Sequence, residues 1–249
     1  MKVWMLFKSA LFQLYFYGSV CFFAILVVLS FALPYKVRFW YAKTWGRGML
    51  FVGRWLLGFR WQVEGRENIP DEASVILIKH STVFETYAQL VIFPPQTWVL
   101  KRELQWIPIF GWGLACMKPI AINRDAGKSA VKQVIRIGKE RLKEGIWVTV
   151  FPEGTRMLPG QTRKYGISGA ALAHEAGVPV LPVAHNAGDL WQRRGVTRKA
   201  GLIRIVIGPP IDGAAQSPKE TNALAQDWIE TKMAEISPEA YGRMESPEA

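Results

Sequence analysis

The sequence predicts an α/β protein, in which a mixed, mostly parallel sheet is flanked by helices and preceded by an N-terminal membrane helical segment. Three observations support this prediction. Short apolar runs alternate with segments of helical periodicity, a long uncharged stretch lies near the N-terminus, and polar residues follow the ends of several apolar runs. We therefore expect a membrane anchor over residues 1–58, an α/β domain over 59–236 and a loose C-terminal tail over 237–249.

Length, charge and cysteine content limit the function classes. The 249 residues suffice for one large domain with an appendage. Lys and Arg outnumber Asp and Glu by 31 to 20, so the expected partners are negatively charged: nucleic acid, anionic lipid headgroups or a phosphate-bearing substrate. Cys21 and Cys116 are too few for a disulfide framework or a Cys-rich metal site, and they fit a reducing compartment.

The N-terminal stretch from Ser9 to Pro34 contains no charged side chain and approaches the length of about 20 apolar residues that crosses a bilayer. A cleaved signal peptide is the alternative. The apolar region is longer than the usual signal peptide core, however, and no small-x-small cleavage site is evident. Two basic residues precede the segment and six follow it before residue 61, which predicts that most of the chain lies in the cytoplasm.

A basic, Trp-bearing helix is expected within residues 41–61. Lys43, Arg47 and Arg54 fall in one sector of a helix with 3.6 residues per turn, and Trp45 occupies another side. This pattern favours a helix in the headgroup region of an anionic membrane. A helix packed on the soluble domain, or the return half of a helical hairpin, remains the alternative.

The rest of the chain alternates between predicted strands and helices. Strands are expected at 61–65, 73–79, 97–101, 146–151, 178–184 and 202–208. Helices are expected at 127–145, 168–177 and 217–236, the second ended by Gly177 and the third entered through Ser217 and Pro218. In such α/β folds the functional groups lie on loops at the ends of strands.

One such strand end carries His80, followed by Glu85 in the stretch "ILIKHSTVFETYA". Residues five apart lie about 140° apart on a continuous helix, so the two side chains meet only if a turn intervenes and Glu85 begins the next helix. The carboxylate would then accept one imidazole N–H and leave the other nitrogen to take a proton from a hydroxyl. The spacing alone is common by chance, and a solvated turn is the alternative.

Three further stretches accompany this pair: "MKPIAINR" at 117–124, "VFPEGTR" at 150–156 and the Pro-marked run "VPVLPVA" at 178–184. Their order and spacing after His80 resemble the four-motif pattern of the lysophospholipid acyltransferases, the family of 1-acylglycerol-3-phosphate acyltransferases. The resemblance covers about residues 60–210, and the stretch 101–113 is also similar to that family.

The resemblance implies the glycerolipid acyltransferase fold and a set of residue roles. His80 would be the general base and Glu85 the carboxylate that orients it. The acceptor would be bound by Arg124, Glu153, Gly154, Thr155 and Arg156. Two departures from the family pattern are Glu85, where many members have Asp, and Asn123, where the second motif often has Asp.

The implied reaction moves an acyl chain from an acyl-CoA or acyl carrier protein thioester to the sn-2 hydroxyl of lysophosphatidate, giving phosphatidate for phospholipid biosynthesis. Arginine forks suit a phosphate, and backbone N–H groups around Gly154 suit a phosphate or an oxyanion. We expect no metal, no resident cofactor and no nucleic acid partner. Anionic lipid would be a partner, because the N-terminal segment is typical of bacterial members located in the inner membrane.

Several alternative interpretations fit parts of the sequence. Arg124 could cap a strand end, and "PEGT" could be an ordinary turn. Gly166 to Ala170 narrowly misses the nucleophile elbow of serine hydrolases, and no second histidine completes a zinc motif at His174. The acceptor could be another lyso-lipid or hydroxylated lipid. A different class would be a membrane-tethered lipid- or nucleic-acid-binding protein that uses basic residues at 193–199, and His185 is left outside the site.

Overall fold

The computed structural model describes residues 2–191 and 198–241. The described chain forms a seven-stranded sheet in the order β1-β7-β6-β2-β5-β3-β4. Its strands are β1 Phe59–Glu64, β2 Val75–Ile78, β3 Gln96–Lys101, β4 Ile120–Ile122, β5 Trp147–Val150, β6 Val180–His185 and β7 Gly201–Ile207. Only β6 and β7 pair antiparallel, and the other neighbours are parallel, so the predicted mixed, mostly parallel sheet is confirmed.

The six predicted strands are present with small shifts at their ends, and β4 lies in the stretch that ends in Arg124. The central strand, β2, is buried at all four positions, between β5 and β6. A strand covered on both faces shows a continuous apolar run rather than alternation, which is why "VILI" reads so clearly in the sequence.

Nine helices occur in the described ranges: α1 Lys2–Leu29, α2 Tyr35–Val52, α3 Phe84–Ile92, α4 Phe110–Cys116, α5 Lys128–Lys143, α6 Ser168–Ala176, α7 Ala187–Leu190, α8 Pro218–Ile236 and α9 Pro238–Tyr241. The three predicted helices, α5, α6 and α8, are confirmed. Gly177 ends α6 with a left-handed φ of 67°. Ser217 and Glu220 cap α8 reciprocally, each side chain accepting the backbone N–H of the other residue.

Helices cover the sheet on both faces. On one face α1, α2 and α3 contribute Phe12, Met49 and Phe84 to a cluster with Ile76 and Ile203. On the other face α5, α6 and α8 form a second cluster. The predicted boundary at residue 58 therefore separates segments that share one apolar cluster, and a division into two independent domains stays a prediction.

Helix α1 lies alongside the α/β domain rather than projecting from it. Phe12 near one end and Val27 near the other are both buried. Most of the remaining apolar side chains are exposed, and Val3–Leu29 is long and apolar enough to cross a membrane. This helix indicates that the protein associates with a membrane.

Helix α2 packs between α1 and α3, as the alternative interpretation of the basic segment expected. A Cβ at Gly46 would lie 2.8 Å from the carbonyl oxygen of Tyr87, so glycine permits this close approach. Trp40 and Phe51 on its other sides are exposed, as is Trp55 in the π-helical turn Gly53–Leu57 that follows. The segment thus has both a packed face and an exposed aromatic face.

The prediction of a basic surface at residues 193–199 differs from the structure at Arg198. Arg198, expected in an exposed basic loop, is 7% exposed and its guanidinium lies 4.2 Å from the ring centroid of Trp191. It donates to the carbonyl oxygen of Ser9 and to the side chain of Gln13, and so holds α1. Arg193 and Arg194 lie outside the described residues.

The predicted loose tail, 237–249, begins with structure. Residues 238–241 form α9, Ser237 donates to Asp189 Oδ1 at 2.7 Å, and the Tyr241 hydroxyl donates to Glu230 Oε2 at 2.9 Å. Hydrogen bonds of this kind fix a short helix that would be unstable alone. Residues 242–249 lie outside the described residues.

Gly113 tests the packing of α1 on the domain. A Cβ there would lie 2.8 Å from Ala24 Cβ and 2.9 Å from Ala24 Cα, so Gly113→Ala forces α1 and α4 apart. We expect the strain to lower the free energy of unfolding by about 1–3 kcal/mol, more than helix propensity returns. Thermal unfolding in detergent measures the change. Gly18→Ala on α1, with no atom within 4 Å, is the control, and equal stability of the two variants would contradict this packing.

Candidate active site

The candidate site lies at the carboxyl ends of β2 and β5. These strands pair in parallel with Val75 opposite Val148, so the loops that follow them leave the sheet at the same edge. The loop after β2 carries His80 and leads into α3, and the loop after β5 contains the "PEGTR" turn.

Glu85 stands in the first turn of α3, and its Oε1 lies 2.8 Å from His80 Nδ1. Oε1 also accepts the backbone N–H groups of Ser81 at 2.8 Å and Thr82 at 2.7 Å, and Oε2 accepts the Thr82 hydroxyl at 2.6 Å. The predicted contact of His80 and Glu85 across a turn is confirmed. The carboxylate orders the loop as well as the imidazole.

The charge state of Glu85 fixes the tautomer of His80. Glu85 is buried, and burial alone raises the pKa of a carboxyl, but His185, His80 and Thr82 outweigh burial and bring the pKa of Glu85 down to about 2. Because the carboxylate is ionised, Nδ1 of His80 carries the proton and donates it. Nε2 is the nitrogen that remains to accept a proton in the neutral ring, and the ring is held by a stack on Phe151 with 4.1 Å between centroids.

His185 lies on the far side of Glu85 from His80. Its Nε2 donates to the carbonyl oxygen of Lys79 at 2.8 Å and lies 3.7 Å from Glu85 Oε2. Burial lowers the pKa of His185, and the Glu85 carboxylate opposes this fall. His185 therefore contacts the carboxylate that orients His80. In the prediction from the sequence His185 lies outside the site, because the contact depends on the pairing of β6 with β2, which is not visible in the sequence.

Arg124 and Arg156 come from two loops and both line a cavity together with His80. Nη1 of Arg124 donates to the carbonyl oxygen of Gly154, which ties the two loops to each other. Gly154 adopts a left-handed φ of 68°, and its own N–H donates to Phe151 at 2.9 Å. That N–H is therefore committed to the turn, and binding of a phosphate or oxyanion by the backbone N–H groups around it stays a prediction.

Three of the predicted acceptor-binding residues, Glu153, Gly154 and Thr155, do not line the cavity of the described chain. Thr155 is half-buried in the turn. The Glu153 side chain is fully buried: its Oε2 accepts the backbone N–H of His80 at 2.9 Å, and its Oε1 lies 2.8 Å from Lys79 Nζ. Burial raises the pKa of Glu153, and Lys79 opposes this rise. The contacts of Glu153 suit a residue that positions His80 rather than one that touches the acceptor.

The cavity has a volume of about 600 Å³ and a mostly apolar wall. Side chains from α1, α2, α3 and the segment 98–117 form that wall, among them Phe16, Val20, Trp45, Leu90 and Trp98. Nothing in the sequence indicates that α1 and α2 form a wall of the site, because a membrane segment is recognised by its composition and not by its contacts.

Comparison with known proteins identifies the family to which the chain belongs. A sequence profile described as Acyltransferase matches residues 60–186, which include both loops of the site. The chain belongs to the acyltransferase family. The resemblance inferred from the motifs is therefore confirmed.

Members of the acyltransferase family with curated names are similar over most of the chain. A 1-acyl-sn-glycerol-3-phosphate acyltransferase of Pseudomonas aeruginosa is 45% identical over 83% of this chain and 82% of its own length. The human 1-acyl-sn-glycerol-3-phosphate acyltransferase alpha is 26% identical over 79% of this chain and 71% of its own. The fold is similar to the crystal structure of the 1-acyl-sn-glycerophosphate acyltransferase PlsC from Thermotoga maritima, with TM-score 0.79, 24% identity and coverage of 94% and 97%.

Glu85→Asp tests whether the reach of the carboxylate matters. Shortening the side chain by one methylene withdraws it from the N–H groups of Ser81 and Thr82 and from His80 Nδ1. We expect acyl transfer to fall by about 10- to 100-fold, since small misplacements of catalytic groups have effects of this size. Steady-state assays in membranes measure the fall. Glu175→Asp, on the exposed end of α6, is the matched control, and full activity of Glu85→Asp would show that this geometry is not required.

Proposed function

We propose that this acyltransferase is a 1-acyl-sn-glycerol-3-phosphate acyltransferase. It moves an acyl chain from an acyl-CoA or acyl carrier protein thioester to the sn-2 hydroxyl of lysophosphatidate and forms phosphatidate. The observation that carries the proposal is that His80, oriented by Glu85, shares one largely apolar cavity with Arg124 and Arg156. The 45% identity to the Pseudomonas aeruginosa enzyme supports the same acceptor.

His80 acts as the general base. As the acceptor hydroxyl oxygen attacks the thioester carbonyl carbon, its proton passes to Nε2 of His80, a contribution of typically 10²- to 10⁴-fold in rate. The C–S bond then breaks and the new ester bond remains. The leaving thiolate accepts the proton from the imidazolium of His80 and departs as a thiol. The Glu85 carboxylate, 2.8 Å from Nδ1, stabilises the positive ring, and no acyl-enzyme is required.

Arg124 and Arg156 bind the phosphate of the acceptor. A guanidinium presents planar donors that match phosphate oxygens, which an ammonium does not do. The donation from Arg124 to Gly154 holds one fork in place before the substrate arrives. The apolar part of the cavity accommodates an acyl chain while the reacting hydroxyl lies near His80.

The proposed location is the inner membrane, with the α/β domain on its cytoplasmic face. Exposed side chains of α1, such as Leu14, Phe22 and Ile25, meet lipid, and exposed Arg47 and Arg54 meet anionic headgroups. Because α1 also walls the cavity, a lyso-lipid has a route from the membrane to His80 along apolar surface.

The second candidate acceptor is another lyso-lipid or a hydroxylated lipid. Two arginines in the cavity wall favour a phosphate monoester, which carries more negative charge than a phosphodiester. A binding protein without catalysis is disfavoured. Binding through a basic surface would not require a buried carboxylate that orients an imidazole in the wall of a cavity.

His80→Ala tests the reaction. Membranes that contain the wild-type chain or the variant are given lysophosphatidate with labelled acyl-CoA or, separately, labelled acyl carrier protein. We expect loss of about 10²- to 10⁴-fold in phosphatidate formation with whichever donor the wild type uses. His174→Ala, on α6 and outside the cavity, is the control. Retention of full transfer by His80→Ala would refute the mechanism.

Arg156→Lys tests phosphate recognition. Losing the planar fork should raise the KM for lysophosphatidate by about 10-fold, the value expected for one charge-assisted hydrogen bond, with a smaller effect on kcat. A monoacylglycerol, which lacks the phosphate, should be a poor substrate of both forms to the same extent. Arg163→Lys on the exposed loop is the matched control. An unchanged KM for lysophosphatidate would exclude Arg156 from phosphate binding.

A further inference from the structure

Lys79, directly before His80, is a buried charged residue that the reaction does not use. It is 1% exposed, and its ammonium lies 2.8 Å from Glu153 Oε1 and 2.8 Å from Glu230 Oε1. The ammonium also donates to the carbonyl oxygen of Gln161 at 3.0 Å. A buried ammonium is stable only with such partners, so its position depends on both carboxylates.

Glu230 brings the C-terminal part of the chain into this network. It lies on α8, and its carboxylate also accepts the hydroxyls of Tyr165 at 2.7 Å and Tyr241 at 2.9 Å. Four segments thus converge on one ion pair: the end of β2, the loop after β5, α8 and α9. Lys79 and Glu230, 151 residues apart in the chain, are joined by hydrogen bonds from Nζ to both carboxylate oxygens.

The network ends on the backbone of His80. Glu153, held by Lys79, accepts the N–H of His80 through Oε2 at 2.9 Å. Met157, which directly follows Arg156, donates its N–H to the carbonyl oxygen of His80 at 2.7 Å. The loop after β5 therefore forms hydrogen bonds with both the backbone N–H and the backbone carbonyl oxygen of His80. The same loop carries Arg156.

We propose that Lys79, Glu153 and Glu230 form a positioning network through which the C-terminal helices fix the base His80 and the phosphate-binding Arg156 relative to each other. Lys79 and Glu230 touch no substrate and act through Glu153 and the loop after β5. Only the catalytic test of this inference, the measurement of kcat, rests on the proposed function. It assigns Glu153 of the "PEGTR" turn to the positioning of His80 and gives α8 and α9 a role in catalysis.

Glu230→Gln is the principal test, because it preserves the size of the side chain and removes the charge that faces Lys79. We expect kcat to fall by about 10- to 100-fold, the effect of displacing a catalytic group by up to about 1 Å, with little change in the KM for the acyl donor. Tyr241→Phe, which removes one hydroxyl only, should give a smaller loss in the same direction. Glu235→Gln, the same change at an exposed position on α8, should keep wild-type kcat.

A second control separates positioning from stability. Met233→Ala removes a buried apolar side chain from α8 and leaves the ion pairs in place, so it should lower Tm while kcat, measured well below Tm, stays near the wild-type value. Unchanged kcat in Glu230→Gln would overturn the proposal. The proposal would also be overturned if Glu230→Gln and Met233→Ala had equal Tm values and the loss of kcat in Glu230→Gln were no larger than that in Met233→Ala.

A readout without acyl transfer keeps this test independent of the proposed function. Diethylpyrocarbonate modifies accessible imidazoles, and mass spectrometry gives the labelling rate of each histidine. Glu230→Gln should change the rate at His80 and leave the rate at His174 unchanged, whether or not lysophosphatidate is the substrate. Equal His80 rates in the wild type and Glu230→Gln would overturn the positioning role.

Discussion

The buried carboxylate of Glu85 is the interaction on which the site depends. It collects donors from His80, Ser81 and Thr82, all within the loop that joins β2 to α3. Those donors satisfy an anion that burial would otherwise penalise, and in return the anion shapes the turn and sets the imidazole tautomer. Its place in the first turn of α3 adds the favourable end of the helix dipole. One side chain thus determines loop conformation and base orientation together.

The rest of the site is built outward from this loop by backbone contacts. The loop after β5 approaches His80 through Glu153 and Met157, and Arg124 joins it at Gly154. These contacts bring the base and both arginines to one cavity wall although they follow three different strands. A parallel sheet makes this possible, because its strand ends leave from one edge.

Much of the fold was readable from the sequence, and the reasons are physical. The buried run of β2 and the capped helix α8 carry strong local signals, since composition and end residues specify them almost alone. His80 and Glu85 were found because their contact is local. Glu153 was assigned to the acceptor because motif order gives the loop but not the direction of a side chain. Lys79 and His185 were missed because their partners lie in distant segments.

The same limit explains the surprises at the two ends of the chain. Arg198 looked like a surface cation because nothing near it in sequence shows that Ser9 and Gln13 cover it. Residues 237–241 looked loose because their partners, Asp189 and Glu230, belong to other elements. In both places, long-range hydrogen bonds order segments whose local propensity is weak.

The anchoring of α1 by Arg198 has a consequence for the order in which the chain folds as it is synthesised. The two partners, Ser9 and Arg198, are 189 residues apart, so α1 leaves the ribosome before Arg198 has been synthesised. During that interval Phe12 also lacks Trp191, whose ring packs edge-on against it at 5.6 Å in the folded chain. The contacts that Arg198 makes with α1 therefore form only after most of the chain has been made. A shortened form without α1 would lose one wall of the cavity that holds His80.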